Sequence, residues 1–263
     1  MSARFNSFFY FTLIYYGLFC GLSSTLTSAD EPQKQEQNAV IQEEQKLSEQ
    51  NSADKSQEKT EKRPPAQLEK IAVIIEGEIL QQEGIHEWAG KASKLVTEWY
   101  PKIDAALQSD DYAPPKEVSI IFRKMDGVAY AAGNAINISA DWIRRQPNDF
   151  GMVAHELTHI IQSYPRNAGP GWITEGIADY IRHAHYEPDV KLPRIDPDRA
   201  SYRDAYKTTA GFFIWIEKKY DKEFVKKLNA AMRNRTYKDE IFQKLTEKPL
   251  DDLWKEYADT FRK

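Results

Sequence analysis

The segment His155-Glu156-Leu157-Thr158-His159 constrains this chain more than any other. Residues four apart on an α-helix share a face, so both imidazoles can converge on one point, with Glu156 one step round beside it. A second segment answers the first. In Gly171-Trp172-Ile173-Thr174-Glu175-Gly176-Ile177-Ala178-Asp179-Tyr180-Ile181-Arg182, the isoleucines recur every four residues, which predicts a helix with a buried stripe. Glu175 and Asp179 also stand four apart, on another face. A catalytic zinc takes three protein ligands and keeps a fourth position for water. His155, His159 and Glu175 are the expected ligands, Glu156 the expected general base, and one Zn2+ per chain the expected cofactor. Asp179 is placed to accept the N–H of a ligand histidine, His155 first, which would fix that ring's tautomer and orientation.

The rest of the chain sets the context. Arg4 precedes an apolar run from Phe8 to Leu22, and small residues follow, with Thr27 and Ala29 placed before a cleavage point at Asp30. That pattern predicts a secretory signal peptide over 1–29 and an exported protein, secreted, periplasmic or held at the cell surface. Left uncleaved, the same segment would be a membrane anchor. Cys20 is the sole cysteine, so the mature chain would have neither disulfides nor thiolate ligands. Residues 30–65 are rich in Gln, Glu, Lys and Ser and have no aromatic residue, so they read as a disordered polar linker. Pro64-Pro65 closes it, and 66–263 is left as one domain. Net charge is −4 overall. The linker's nine acids and six bases and the leader's Arg4 leave the domain near −2, with no basic face for nucleic acid.

Within the domain, Ile71 to Ile79 is apolar enough for a strand, and Ile85 to about Leu107 reads as a long helix that Pro101 should kink or interrupt. Val118, Ile120 and Phe122 alternate as in a half-buried strand. Ile136 and Ile138 do the same after a Gly133-Asn134 turn signal. Asn148 or Asp149 can cap the helix bearing His155. Beyond a polar loop from Pro188 to Arg203, helical spacing returns over Ala210–Tyr220, Lys222–Met232, Tyr237–Leu245 and Leu250–Phe261, where Trp254, Tyr257 and Phe261 read as core. The class expected is α+β: a small mixed sheet, an active-site helix and a mostly helical C-terminal part.

The run from His155 to Gln162, then Gly169-Pro170-Gly171 and Glu175 to Tyr180, resembles the basic secretory protein family, zinc peptidases of plants and bacteria. Asp126-Gly127-Val128-Ala129-Tyr130 and Tyr206-Lys207-Thr208-Thr209-Ala210 carry the same likeness, which extends from about Ile71 onward. The resemblance implies a zincin-like fold of the gluzincin type, in which an edge strand lies above the active-site helix and holds an extended peptide. On that footing the strand from Gly133 to Ser139 is the expected edge, and Gly133, Asn134 and Ala135 the expected substrate-binding residues. The resemblance also implies Tyr206 as donor to the developing oxyanion, with Tyr180 and His183 as rivals. This chain departs from the family in Trp172-Ile173-Thr174 before Glu175, and its domain is not basic.

The metzincin extension needs Gly at 162 and His at 165, where this chain has Gln162 and Pro165. An intramembrane protease is excluded by Arg144, Arg145, Asp149 and Arg166 around the motif. The expectation is an exported zinc metallopeptidase acting on peptide or protein, as an endopeptidase. The alternative is a surface binding domain with a structural zinc, which would have no need of Glu156 between the histidines. Oligomeric state is not legible.

Overall fold

The computed structural model describes residues 71–110 and 112–262. The expected signal peptide (1–29) and linker (30–65) lie outside them. Four strands form one mixed sheet: β1 (Ala72–Glu76), β2 (Glu117–Arg123), β3 (Ala129–Ala132) and β4 (Ala135–Ser139), in the order β1-β2-β4-β3. The first three in that order run parallel, and β3 pairs antiparallel with β4 through Ala132 opposite Ala135. In β2, Val118, Ile120 and Phe122 point into the core on alternate positions, the period that drives a strand to bury one face.

The order corrects the expected edge. Gly133 and Asn134 are the two-residue turn, with Gly133 at φ 57, a region that favours glycine. The strand that follows, β4, is internal, buried between β2 and β3. The edge on this side of the sheet is β3, with β1 at the other. Its residues Ala129 and Ala131 sit between those bonded to β4, since Ser139 N–H donates to Val128 O and the ladder alternates. Their main-chain groups therefore face outward.

Helix α1 (Ile85–Ala106) buries Ile85, Trp88, Ala92, Leu95 and Val96 against β1 and the motif helix. Pro101 lies inside it, yet the helix runs on unbroken, anchored by buried Ile103 and Leu107 beyond the missing hydrogen bond. A short helix, α2 (Ala140–Arg145), begins with the Ser139 hydroxyl accepting from Trp142 N–H. Then come α3 (Gly151–Gln162) and α4 (Gly171–Tyr180), the latter continued by a π-helical turn over Ile181–Tyr186. Neither Asn148 nor Asp149 caps α3. Asp149 instead accepts from Trp142 Nε1 and pairs with Arg182, so its carboxylate is committed to tertiary contacts.

The C-terminal part is helical: α5 (Tyr206–Lys219), α6 (Phe224–Arg233), α7 (Glu240–Thr246) and α8 (Leu250–Asp259). It packs round Phe212, Phe213, Phe224 and Phe242, all fully buried, with Trp254 edge-on to Phe212 at 5.3 Å. Each such ring contributes about 1.5–3 kcal/mol by burial. Tyr257 is buried, and Trp254 and Phe261 pack against the same cluster, as the spacing predicted. Helices α4 and α5 meet so closely at Gly176 that a Cβ there would lie 2.3 Å from Thr209 Cγ2. Ile173, Ile177 and Ile181 form the buried stripe beside it. At the far end of α3, buried Arg233 donates from Nη2 to Ile161 O and from Nη1 to Leu107 O and Ser109 Oγ, while its guanidinium stacks on Tyr112 at 3.8 Å. No helix among the described residues is long and apolar enough to cross a membrane.

Candidate metal centre

Helix α3 is almost wholly buried, which aims the polar stripe of His155, Glu156 and His159 at the one place where neighbours leave room. Helix α4 crosses it and presents Glu175 and Asp179 from one face, as their spacing predicted. His155 Nε2 lies 3.1 Å from His159 Nε2 and 3.2 Å from Glu175 Oε2, and His159 Nε2 lies 3.3 Å from the same oxygen. Three donor atoms thus form a nearly equilateral triangle, and His155, His159 and Glu175 together could hold a metal ion.

The tautomers follow from the partners. Asp179, only 5% exposed, can only accept, so His155 Nδ1–H donates to its Oδ1 at 2.7 Å. Gln162 Nε2 donates to Thr174 O at 3.0 Å, and that carbonyl also can only accept. The other end of the amide, Oε1, therefore faces His159, whose Nδ1–H donates to it at 2.8 Å. When neutral, both rings carry their proton on Nδ1, so both Nε2 atoms turn lone pairs towards Glu175. Two lone pairs and a carboxylate oxygen at van der Waals distance repel unless a proton or a cation sits among them.

Without a metal, that place is taken by a proton. Burial disfavours a charged His155, but its hydrogen bonds to Asp179 and Glu175 prevail and hold its pKa up at about 9. Glu175 is opposed by burial too, yet the two histidines hold its carboxyl down at about 2. Glu156 is not a corner of the triangle. Burial pushes its carboxyl up, against the pull of His155 and His159, and the Ala131 N–H donates to it. A carboxylate so placed is basic enough to accept a proton.

The site opens into a cleft of about 750 Å³ between β3 and the start of α5. Val128, Ala129, Tyr130 and Ala131 line one wall, and Ala205, Tyr206 and Lys207 the other. Gly133, Asn134 and Ala135, expected to bind substrate, are not among the lining residues: the chain has turned away by then, and β3 fronts the cleft. Tyr206 is 54% exposed and stacks beside the His155 ring at 6.1 Å. The negative charge of Glu175, then burial, pushes its phenol pKa up, so the hydroxyl keeps its proton. Its backbone lies at φ 47 after Ala205 at φ 62 and ψ −167, two successive positive-φ residues without glycine, a strain often found at working sites. The rivals are elsewhere. The Tyr180 hydroxyl donates to Glu217, and buried His183 does not line the cleft.

Sequence reasoning left Gln162 without a role, although it stands three residues from His159 on the same helix, a spacing that brings side chains together. Arg182 also went unremarked. It lines the cleft floor, ion-paired to Asp149 and Glu187.

The family model for BSP, described as a peptidase of plants and bacteria, matches residues 84–257, most of the chain and the whole of the site. No curated protein and no solved structure matches it.

Proposed function

We propose, for a chain that belongs to the BSP family of peptidases of plants and bacteria, that it is an exported zinc-dependent endopeptidase. The observation that carries the reading is the triangle of His155 Nε2, His159 Nε2 and Glu175 Oε2, with each imidazole proton tied away on Nδ1. Its edges of 3.1–3.3 Å suit a tetrahedral ion with ligand bonds of about 2.0–2.1 Å, whose donors stand about 3.3 Å apart. Two nitrogens and one oxygen without thiolate favour zinc over softer-site metals. His155, His159 and Glu175 would hold it, and zinc there would supply a Lewis acid able to bring the pKa of water towards about 7.

The chain's own residues do the rest. Glu156, held by the Ala131 N–H, takes a proton from the attacking water and passes it to the leaving amine. Tyr206, protonated and exposed beside His155, donates to the oxygen that gains charge, typically a few kcal/mol of transition-state stabilisation. Asp179 and Gln162 hold the two rings. The outward main-chain groups of Ala129 and the Ala131 carbonyl hold the peptide as an added strand, the Ala131 N–H being given to Glu156, and a cleft open along an edge admits chain on both sides, which favours endopeptidase action. Residues 1–29 act as the export signal, 30–65 as a polar tether, and 66–263 as the peptidase domain.

The test uses two preparations of full-length protein, wild type and Glu156→Gln. Both should bind one zinc, and only the wild type should cleave peptides, with chelator abolishing the cleavage. Loss of the base should lower activity by about 10²–10⁴-fold. A Glu156→Gln protein that cleaves as fast as wild type refutes the mechanism. A zinc-loaded wild type that cleaves nothing returns the domain to a binding role.

A further inference from the structure

The cleft carries charge of two kinds. Glu156, Glu175 and Asp179 cluster at the metal centre, where their partners are already assigned. Two permanent cations line the walls, Arg182 and Lys207. Arg182 is spoken for, its guanidinium bonded to Asp149 and Glu187. Among the described residues the Lys207 side chain has no ion-pair or hydrogen-bond partner, and its charge reaches only as far as the buried His183, which it disfavours in charged form. Asp204, the nearest acid along the chain, also lines the cleft, but its Oδ2 accepts from Ser201 N–H at 2.8 Å in the capping box of its own loop and it forms no ion pair with Lys207 among the described residues. Away from the metal centre and Asp204, the rest of the lining is uncharged: Val128, Ala129 and Ala131 are apolar, and Tyr130, Thr174, Tyr206 and Thr208 bring only neutral polar groups.

Lys207 is also presented on a fixed support. Tyr202 is buried and its hydroxyl donates to Asp251, and Thr209 Oγ1 donates back to Tyr202 O at 2.6 Å. Between these anchors Ala205 and Tyr206 hold their positive-φ backbone, so the residue that follows leaves the turn in one direction. An unpaired ammonium on a rigid wall of a substrate cleft is a ready partner for an anion.

We propose that Lys207 determines specificity by recognising a carboxylate on the bound peptide. The kinetic half of the test rests on the peptidase reading; the binding half does not. Two carboxylates share the chemistry, an acidic side chain near the scissile bond and the chain's own C-terminus. Three peptides separate them: end-blocked with Glu, end-blocked with Gln, and Gln with a free C-terminal carboxylate. Affinities are measured by fluorescence anisotropy on full-length, zinc-loaded protein in the Glu156→Gln background, where turnover does not deplete the peptide. kcat/KM is measured in the wild-type background.

Exposed ion pairs are modest, so one of the two carboxylate peptides should bind about three- to fivefold tighter than blocked Gln peptide. Lys207→Gln should erase that preference and leave kcat/KM for blocked Gln peptide within about twofold, and Lys207→Glu should invert it, so that the carboxylate peptide binds more weakly than blocked Gln peptide. Equal binding of all three peptides, binding of none, or a preference that survives Lys207→Gln overturns the proposal. Carboxylate-selective binding that depends on Lys207, with no cleavage by the wild type, overturns the peptidase reading and leaves this one standing. Cleavage without preference does the reverse.

Discussion

Replacing Gln162 with Met separates the support of the metal centre from its ligands. Gln162 is 1% exposed, accepts from His159 Nδ1–H at 2.8 Å and donates to Thr174 O at 3.0 Å. Met has a similar volume, so no cavity opens, and both hydrogen bonds are lost. Each contributes about 1 kcal/mol net, which puts the loss of stability near 2 kcal/mol and the fall in Tm at about 4–8 °C for a domain of this size. The larger effect is on the metal. With no acceptor at Nδ1 the ring is free to carry its proton on Nε2, where it blocks ligation. Removing such a support lowers metal affinity about 10- to 100-fold, or about 1.4–2.7 kcal/mol. Gln162→Glu divides the two effects, because its carboxylate still accepts from His159 but opposes Thr174 O with a second acceptor. It should bind metal at least as tightly as wild type while melting lower. Competition against a chromophoric chelator gives the affinities, and calorimetry of the metal-free proteins gives the melting temperatures. A Met variant that binds metal within twofold of wild type would mean that helix packing alone orients His159, and the tautomer argument would fail.

Glu175→Ala, which removes a corner of the triangle, should lose metal more completely than Asp179→Asn, expected to weaken it about 10- to 100-fold; the opposite ranking by metal titration would exchange their roles. Tyr206→Phe should keep its metal and lose about ten- to a thousandfold in kcat, and unchanged kinetics would take the hydroxyl out of the reaction. His155 in the metal-free protein is held charged to about pH 9, above its ordinary 6.5. Its contribution to stability is therefore full below pH 6.5 and lost as pH rises through 9. Metal affinity should move the other way, rising about tenfold per pH unit from 7 to 9 as one proton is displaced; a flat profile over that range would show His155 already neutral.

The ligand set was legible because each half of it is local. His155 with His159, and Glu175 with Asp179, are pairs fixed by helical spacing alone, and the isoleucine stripe settled which face of the second helix is buried. What joins the halves was not legible. Gln162 reaches the Thr174 carbonyl only once two helices cross at a particular angle, and no spacing encodes that. The edge strand was misread for a related reason. In Ala135–Ser139, Asn137 and Ser139 look like a solvent face, yet both are buried: Asn137 Oδ1 accepts from Arg123 Nε, and the Ser139 hydroxyl donates to Met125 O. Polar groups satisfied inside a sheet imitate an exposed alternation. Ala129–Ala132, the true edge, lacks the β-branched residues that announce a strand. Asp149 has the residue type of a cap but was recruited by Trp142 and Arg182, partners that only the tertiary fold supplies.

Arg233 gives the last turn of α3 an unusual way of opening. Helix ends fray because their final carbonyls have only water to lose. Here the carbonyl of Ile161 is held by a guanidinium that also grips Leu107 and Ser109, more than fifty residues upstream, from a helix seventy residues downstream. Releasing that turn means disturbing a buried cation that ties two distant segments to its own helix, which is nearer to unfolding the domain than to fraying a helix. Amide hydrogens around His159 should thus exchange with solvent at the rate of global unfolding, metal present or not. A framework so held would be rigid before any ion arrived, and little of the energy of binding one would go into ordering it.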